Sequence, residues 1–469
     1  RSAGQPVSGQ PVSGQPVSGQ PVSGQRSAGQ PVSGQPVSRQ PVRGQPKERP
    51  RLSVESALDV DRLIGLLGIA FLLGVAYLFS SNRRAIRWET VVWGIVLQLV
   101  FALFILKIEL GQQALTAVAA GVTRLISFAD AGGSFVFGWL ASDPDPSRFV
   151  FAFKVLPILI FISSFFTVLY YLGIMQLIVI GMARIMTRFM GVSGSESLAA
   201  AANVFMGHTE APLVIAPYVP EMTQSELMAL MTGGMATVSG AILGGYIALG
   251  INAEYLISAS VMAAPAALLM AKILVPETGQ SKTAGKVTLE IKKEDVNVID
   301  AAARGAGKGV ILAINVAAML IAFISIIYLL NGILAGLGSL MGFEDYFGAE
   351  LSMQLILGYI AGPVAFLMGV PWEDITEVGQ LIGIKVILNE FIAYVDLAAI
   401  QDRLSQKSEL IATYALCGFA NLSSIGILIG GIGGLAPSRK SDLAKLGLRA
   451  LLAGSLASFM TATLAGMLM

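Results

Sequence analysis

Two short stretches of this chain place carboxylates, amides and hydroxyls among neighbours that are almost all apolar. The first reads Gly207-His208-Thr209-Glu210 and is followed by Gly233-Gly234-Met235-Ala236-Thr237-Val238-Ser239-Gly240. The second reads Leu388-Asn389-Glu390 and is followed by Gly418-Phe419-Ala420-Asn421-Leu422-Ser423-Ser424. Glu210 precedes Thr237 by 27 residues, Glu390 precedes Asn421 by 31, and both later stretches follow a G-x-A-[TN]-[VL]-S pattern. A charged side chain at the centre of a bilayer costs about 2.5–3.5 kcal/mol on insertion scales, so something must offset both glutamates. Carboxylates are strong acceptors, and a ligand rich in hydroxyl and N–H donors meets that need. The plainer reading pairs them with neighbouring helices or with broken backbone. Asn421 and Ser424, three residues apart, share one helix face if the helix is intact there. Repetition of a glutamate with a glycine-broken helix points to a substrate site between two repeats of a secondary transporter.

Composition sets the elements that must carry these residues. The 469 residues are 54% hydrophobic and 13% charged, too oily for an ordinary soluble globule. A net charge of +1 with no basic face gives no sign of nucleic acid. The single cysteine, Cys417, excludes an intramolecular disulfide. One histidine and one cysteine cannot build a catalytic metal centre, and the chain carries no Walker loop for ATP-driven transport. No cofactor is expected beyond a coupling ion. Because the first apolar run starts only after residue 62, no cleavable signal peptide is expected. Asp143-Pro144-Asp145-Pro146 reads as a turn, and Glu373-Asp374 as the acidic start of a helix.

The chain divides at about residue 55. Residues 1–45 are nine pentapeptides, mostly Pro-Val-Ser-Gly-Gln, a composition that cannot bury enough apolar surface to offset its ordering entropy. Disorder is expected for 1–55. A repeat expansion or an upstream region translated in error explains it more simply than a tether does. Beyond it, uncharged runs long enough to span a bilayer occupy 63–82, 90–106, 155–183, 227–253, 255–271, 309–343, 351–372, 410–438 and 450–469. The 227–253 run holds the Gly233-Gly234 break and the 410–438 run holds Gly418, so neither is a simple span. Basic groups at Arg83, Arg84 and Arg87, at Arg184 and Arg188, at Lys282, Lys286, Lys292 and Lys293, and at Arg439, Lys440 and Lys445 are expected on the cytoplasmic side. That leaves eight full spans, both ends of the chain facing outward, and 189–226 and 373–400 entering and returning from opposite sides.

NVFMGHTEAPLVIAPYVPEMTQSELMALMTGGMATVSG, with KVILNEFIAYVDL and CGFANLSSIGILIGG, resembles the concentrative nucleoside transporters of bacterial type over roughly residues 60–469. The resemblance implies an all-α integral membrane protein with eight transmembrane helices, two re-entrant hairpins and interfacial helices, in which an inverted-repeat transport domain sits on a scaffold. Scaffold helices and an interfacial helix would occupy 56–174, and the first transport half 175–275. A cytoplasmic loop and a scaffold helix would follow in 276–350, then the second transport half in 351–469. It further implies a homotrimer in the bacterial inner membrane that takes up nucleosides.

By the family pattern His208, Thr209 and Glu210 face the base, Glu390, Asn421 and Ser424 face the ribose, and Phe419 is an apolar wall. The family has glutamine where this chain has His208, its only histidine. A neutral imidazole offers one donor and one acceptor against the amide's two donors and an acceptor, so base preference is open, as is a pH-sensitive role. In sodium-coupled members the cation lies between the first hairpin tip and the following unwound helix. The matching positions are Asn203, Met206, Thr237 and Val238, two with side-chain oxygens and two with carbonyls only. That favours sodium over a proton carried by Glu210 or Glu390. An ion channel fits two differently decorated half-sites poorly. An intramembrane enzyme would need more than Ser423 or Ser424 without a nearby histidine.

Overall fold

The computed structural model describes residues 54–142, 150–285 and 295–469. The pentapeptides, the Asp143–Pro146 turn, and Lys286, Lys292 and Lys293 of the expected cytoplasmic loop lie outside them. Among the described residues every regular element is a helix. Seven are long and apolar enough to cross a membrane: Trp88–Lys107, Glu109–Phe137, Phe151–Tyr171, Gln224–Ala248, Ala253–Leu274, Val298–Leu340 and Pro437–Leu468. Shorter apolar helices occupy Arg62–Leu78, Met353–Leu367 and Leu422–Leu435. Glu109–Phe137 gave no uncharged run because Arg124 and Asp130 interrupt it.

Helices sort by what they bury. Ala253–Leu274 is nearly all buried, whereas Val298–Leu340 bares Ile311, Ile314, Ile321 and Tyr328. Bare apolar side chains along a span belong against lipid tails. The buried helices form a repeated series. A helical hairpin (Gly194–Asn203, then Ala211–Val214 and Ala216–Glu221), a broken helix (Gln224–Ala236 and Gly240–Ala248) and a long helix (Ala253–Leu274) come first. A second hairpin (Ile375–Ile387 and Glu390–Ile400), a second broken helix (Gln406–Leu416 and Leu422–Leu435) and the last helix (Lys440–Leu468) repeat that order. The last helix packs against both broken helices and against Ala253–Leu274, which joins the repeats into one core.

One expected break falls elsewhere than the sequence pattern placed it, and another falls where none was expected. Gly233 and Gly234 lie inside the last turn of Gln224–Ala236. They are small because the hairpin presses on them: a Cβ at Gly233 would lie 3.0 Å from Asn203 Nδ2, and one at Gly234 would lie 2.7 Å from His208 Cβ. The helix stops at Thr237, which is extended, and restarts when Ser239 Oγ accepts from the Ile242 N–H. The run 155–183 is two helices, Leu156–Tyr171 and Ile174–Met190, separated at Gly173 with φ +82°. Only glycine adopts that left-handed backbone without steric cost.

Capping boxes start both helices at the base of the first hairpin. Ser193 with Glu196 opens Gly194–Asn203, and Thr223 with Glu226 opens Gln224–Ala236. Glu226 also accepts from Ser193 Oγ (2.6 Å) and Ser281 Oγ (2.6 Å), while Lys272 Nζ meets Glu196 at 2.6 Å. The hairpin is thus fastened at its root, and its tip is left to meet the cavity.

Candidate substrate and cation site

A cavity of about 1050 Å³ lies between the two hairpin tips and the two broken helices. His208, Thr209, Glu210, Glu390, Phe419, Asn421 and Ser424 all line it, as does Met206. Residues up to 216 positions apart in sequence therefore share one wall, because hairpins and breaks place short polar stretches at the same depth (208 to 424). Two of the helices that reach the cavity begin there. Asn389 caps Glu390–Ile400 by accepting from Ile392 N–H (2.9 Å), and Asn421 caps Leu422–Leu435 by accepting from Ser424 N–H (2.9 Å). Helix N-termini aimed at a cavity present partial positive charge and N–H donors to it.

In the second half the carboxylate is already held. Tyr246 Oη donates to Glu390 Oε1 (3.1 Å), and Asn421 Nδ2 donates to Glu390 Oε2 (3.0 Å). Glu390 and Asn421 are buried. The shared helix face expected for Asn421 and Ser424 is not what joins them. Asn421 precedes the helix as its cap, so its amide is split, Oδ1 serving the helix start and Nδ2 serving Glu390. Tyr246 escaped sequence reasoning because an aromatic in an apolar helix reads as core. Its ring lies tilted against Tyr394, centroids 4.1 Å apart, and its hydroxyl is spent on Glu390.

In the first half the polar groups are uncommitted. Among the described residues the Glu210 carboxylate makes no hydrogen bond, and Glu210 is only half-buried beside an exposed Thr209. His208 Nδ1 is buried without a partner, and its ring meets Phe419 edge-on at 4.7 Å. The Tyr170 hydroxyl, also buried and unpaired, lines the same cavity. A site with vacant acceptors and donors beside an aromatic wall suits a flat, polar ring.

Of the four cation candidates only Met206 reaches the cavity wall. Asn203, Thr237 and Val238 are buried behind it. Asn203 Nδ2 donates to the Ala199 carbonyl (2.9 Å), which leaves Oδ1 buried with no partner. Thr237 Oγ1 donates to the Gly233 carbonyl (2.8 Å) and keeps its lone pairs. Among the described residues no donor satisfies the carbonyls of Gly234, Met235 and Ala236 at the end of the broken helix. Neutral oxygens without a carboxylate suit a hard monovalent cation, so the residues present fit sodium. The two breaks touch directly, since Phe419 N–H donates to the Thr237 carbonyl at 3.2 Å.

The cavity continues to Asp295, Arg304 and Lys308 at the start of Val298–Leu340. Arg304 pairs with Asp295 through Nε at 2.5 Å and Nη2 at 2.6 Å, and the guanidinium holds the Asp295 carboxyl below the usual carboxylate range.

Helical hairpins, helices broken at a shared depth and a polar cavity inside an apolar bundle define a secondary membrane transporter. Comparison with known proteins gives its family. Na+ dependent nucleoside transporter N-terminus matches residues 67–140, nucleoside recognition (Gate) matches 152–252, and Na+ dependent nucleoside transporter C-terminus matches 255–466. An uncharacterized transporter of Haemophilus influenzae is 47% identical over 86% of this chain and 97% of its own length. Sodium/nucleoside cotransporter 1 of Mus musculus is 42% identical over 89% of this chain and 65% of its own length. Among solved structures, CNTnw in an inward-facing substrate-bound state is similar with a TM-score of 0.81 at 42% identity, covering 87% of this chain and 97% of that one. A doubly substituted CNTnw in an outward-facing state gives a TM-score of 0.83 at 41% identity, over 88% and 99% of the two chains. The chain belongs to the Na+ dependent, concentrative nucleoside transporter family. It is a multi-pass membrane transporter, not an enzyme, and carries nucleosides by cation-coupled alternating access.

Proposed function

We propose that this protein is a sodium–nucleoside symporter of the bacterial inner membrane, working as a homotrimer. One observation carries the site assignment: the seven residues expected to meet substrate, His208, Thr209, Glu210, Glu390, Phe419, Asn421 and Ser424, line a single cavity. Glu390 and Asn421, fixed by Tyr246 and by the helix cap, receive the ribose hydroxyls with Ser424. Carboxylate acceptors make short, strong bonds to such hydroxyls, and these bonds replace the water that fills the cavity before binding. His208, Thr209 and Glu210 meet the base, and Phe419 covers its face. His208 Nδ1 and the Glu210 carboxylate gain in the complex the partners they lack without it.

Sodium is the co-transported cation, held by Asn203, Met206, Thr237 and Val238 between the hairpin tip and the break. Cation and nucleoside then share one wall. His208 and Met206 belong to the turn that follows Asn203, so filling the cation site orders the segment that reads the base. That is a coupling free energy between two sites, and by linkage nucleoside must raise sodium affinity by the same factor. The hairpins and their broken helices move as a unit against the outer helices, carrying the cavity from one side of the membrane to the other. Uptake of radiolabelled uridine and adenosine by proteoliposomes, under separate sodium and proton gradients, tests the reading. Accumulation driven by the sodium gradient is the expected result. Accumulation under a proton gradient alone overturns the sodium assignment, and none under either gradient overturns the substrate.

A further inference from the structure

Lys385 is a fully buried charged group next to the ribose half of the site that the proposed mechanism leaves unused. It lies in the last turns of Ile375–Ile387, three residues before Leu388 and five before Glu390, and is completely buried. Among the described residues no carboxylate comes within ion-pair distance of it. Its ammonium instead donates to the Ala415 carbonyl at 2.6 Å and lies 5.8 Å from the centre of the Phe459 ring. Ala415 is in the last turn of Gln406–Leu416, where the helix is broken. The final carbonyls of a helix have no partner within it and carry about half a negative charge between them.

The second break meets this need with side chains and a tightened turn. Tyr394 Oη donates to the Thr413 carbonyl (2.8 Å), Cys417 N–H to the Tyr414 carbonyl (3.2 Å), and Lys385 to Ala415. At the matching break in the first half, among the described residues, the carbonyls of Gly234, Met235 and Ala236 receive no donor, and Asn203 Oδ1 is unpaired beside them. One break carries its own cation and the other does not.

We propose that Lys385 is a tethered cation that positions the ribose half of the site, doing for the second broken helix what the coupling ion does for the first. The proposal rests on the reading of Glu390 and Asn421 as ribose ligands. Lys385 ties the hairpin side that leads to Glu390 to the end of the helix that leads to Asn421. It thereby fixes the two groups whose side chains meet at 3.0 Å. An ammonium fixed by a lysine stem is present in every state of the cycle, so this half of the site is formed before either ligand arrives. Removing the charge should loosen sugar recognition and leave the sodium site, on the other repeat, nearly as it was. A side chain that served stability alone would not separate the two.

Purified wild type, Lys385→Gln and Lys385→Arg in proteoliposomes provide the test, with uridine KM measured at saturating sodium and half-saturating sodium at saturating uridine for each. Lys385→Gln should raise the uridine KM at least tenfold while half-saturating sodium stays within twofold of wild type. Lys385→Arg keeps the charge and should hold KM within threefold. A Lys385→Gln KM that rises less than tenfold, or a sodium requirement that rises in step with it, overturns the proposal. If Lys385→Gln is not recovered as a folded protein, Lys385→Arg decides, and a KM beyond threefold overturns it. Wild type without sodium-driven uridine uptake overturns the functional reading, and the proposal with it. Normal wild-type uptake with an unresponsive Lys385→Gln overturns the proposal alone.

Discussion

The two repeats share their order of elements and differ in how much of their polar chemistry is already satisfied. In the second, Glu390 accepts from Tyr246 and Asn421, Asn421 caps its helix, and Lys385 and Tyr394 reach the end of the broken helix. In the first, Asn203 Oδ1 and His208 Nδ1 are buried without partners and Glu210 makes no side-chain hydrogen bond among the described residues. Unmade hydrogen bonds in a buried site cost more than made ones return, so they mark where a ligand completes the structure. On the proposed reading, the second half is a prepared receptor for the part common to every nucleoside, the sugar. The first is then the variable half, to be completed by base and cation.

Substitutions can break this contrast or sharpen it. The largest effect belongs to Glu390→Gln, which removes the acceptor charge from two existing bonds and from the incoming hydroxyls. Bonds to charged groups are worth about 1.5–3 kcal/mol each, so uridine kcat/KM should fall about 100-fold with little change in half-saturating sodium. A fall of similar size in sodium affinity would break the division of labour. Next comes Asn203→Ala, which removes the unpaired oxygen. Half-saturating sodium should rise about tenfold, the cost of one good ligand contact, while KM for uridine at saturating sodium stays within twofold. Tyr246→Phe deletes a single hydrogen bond to Glu390, worth about 0.5–1.5 kcal/mol. Its uridine and adenosine KM values should rise together, about two- to tenfold, because the sugar is common to both. Unequal shifts would place Tyr246 near the base. His208→Gln should have the smallest effect, a change of a few-fold, on the order of one neutral hydrogen bond, in the ratio of adenosine to uridine uptake. An unchanged ratio would show that the position does not read the base.

Much of this was legible in the sequence. The length of the uncharged runs pointed to an all-helical bundle, and the duplicated motif, through its family resemblance, pointed to the seven residues that share the cavity. The second break falls at Gly418 as expected, between Gln406–Leu416 and Leu422–Leu435, whereas the first was legible in kind but misplaced in position. Gly233 and Gly234 mark close approach of the hairpin, and Thr237 with Ser239 marks the stop and restart. Glu109–Phe137 was passed over because a few charges can sit on a long helix without interrupting it. Tyr246 and Tyr170 carried no local signal, since each lies in an apolar helix and acquires a role only from what packs against it; Lys385 stood out as a charge in an apolar stretch, but its partner did not.

Sequence by itself determined that this chain must lie in a membrane, where its polar residues are, and that they come in two sets. Hydrophobic run length and the cost of a charge in lipid are enough for that, because both are properties of local composition. Tertiary structure alone decided that the sets are unequal. Whether Glu390, Asn203 or Lys385 has a partner depends on contacts between residues tens to hundreds of positions apart, and no local pattern encodes such a pairing. The shared G-x-A-[TN]-[VL]-S pattern thus marks two equivalent breaks, and the packing around them leaves one with unpaired oxygens, the proposed cation site, and gives the other an ammonium of its own.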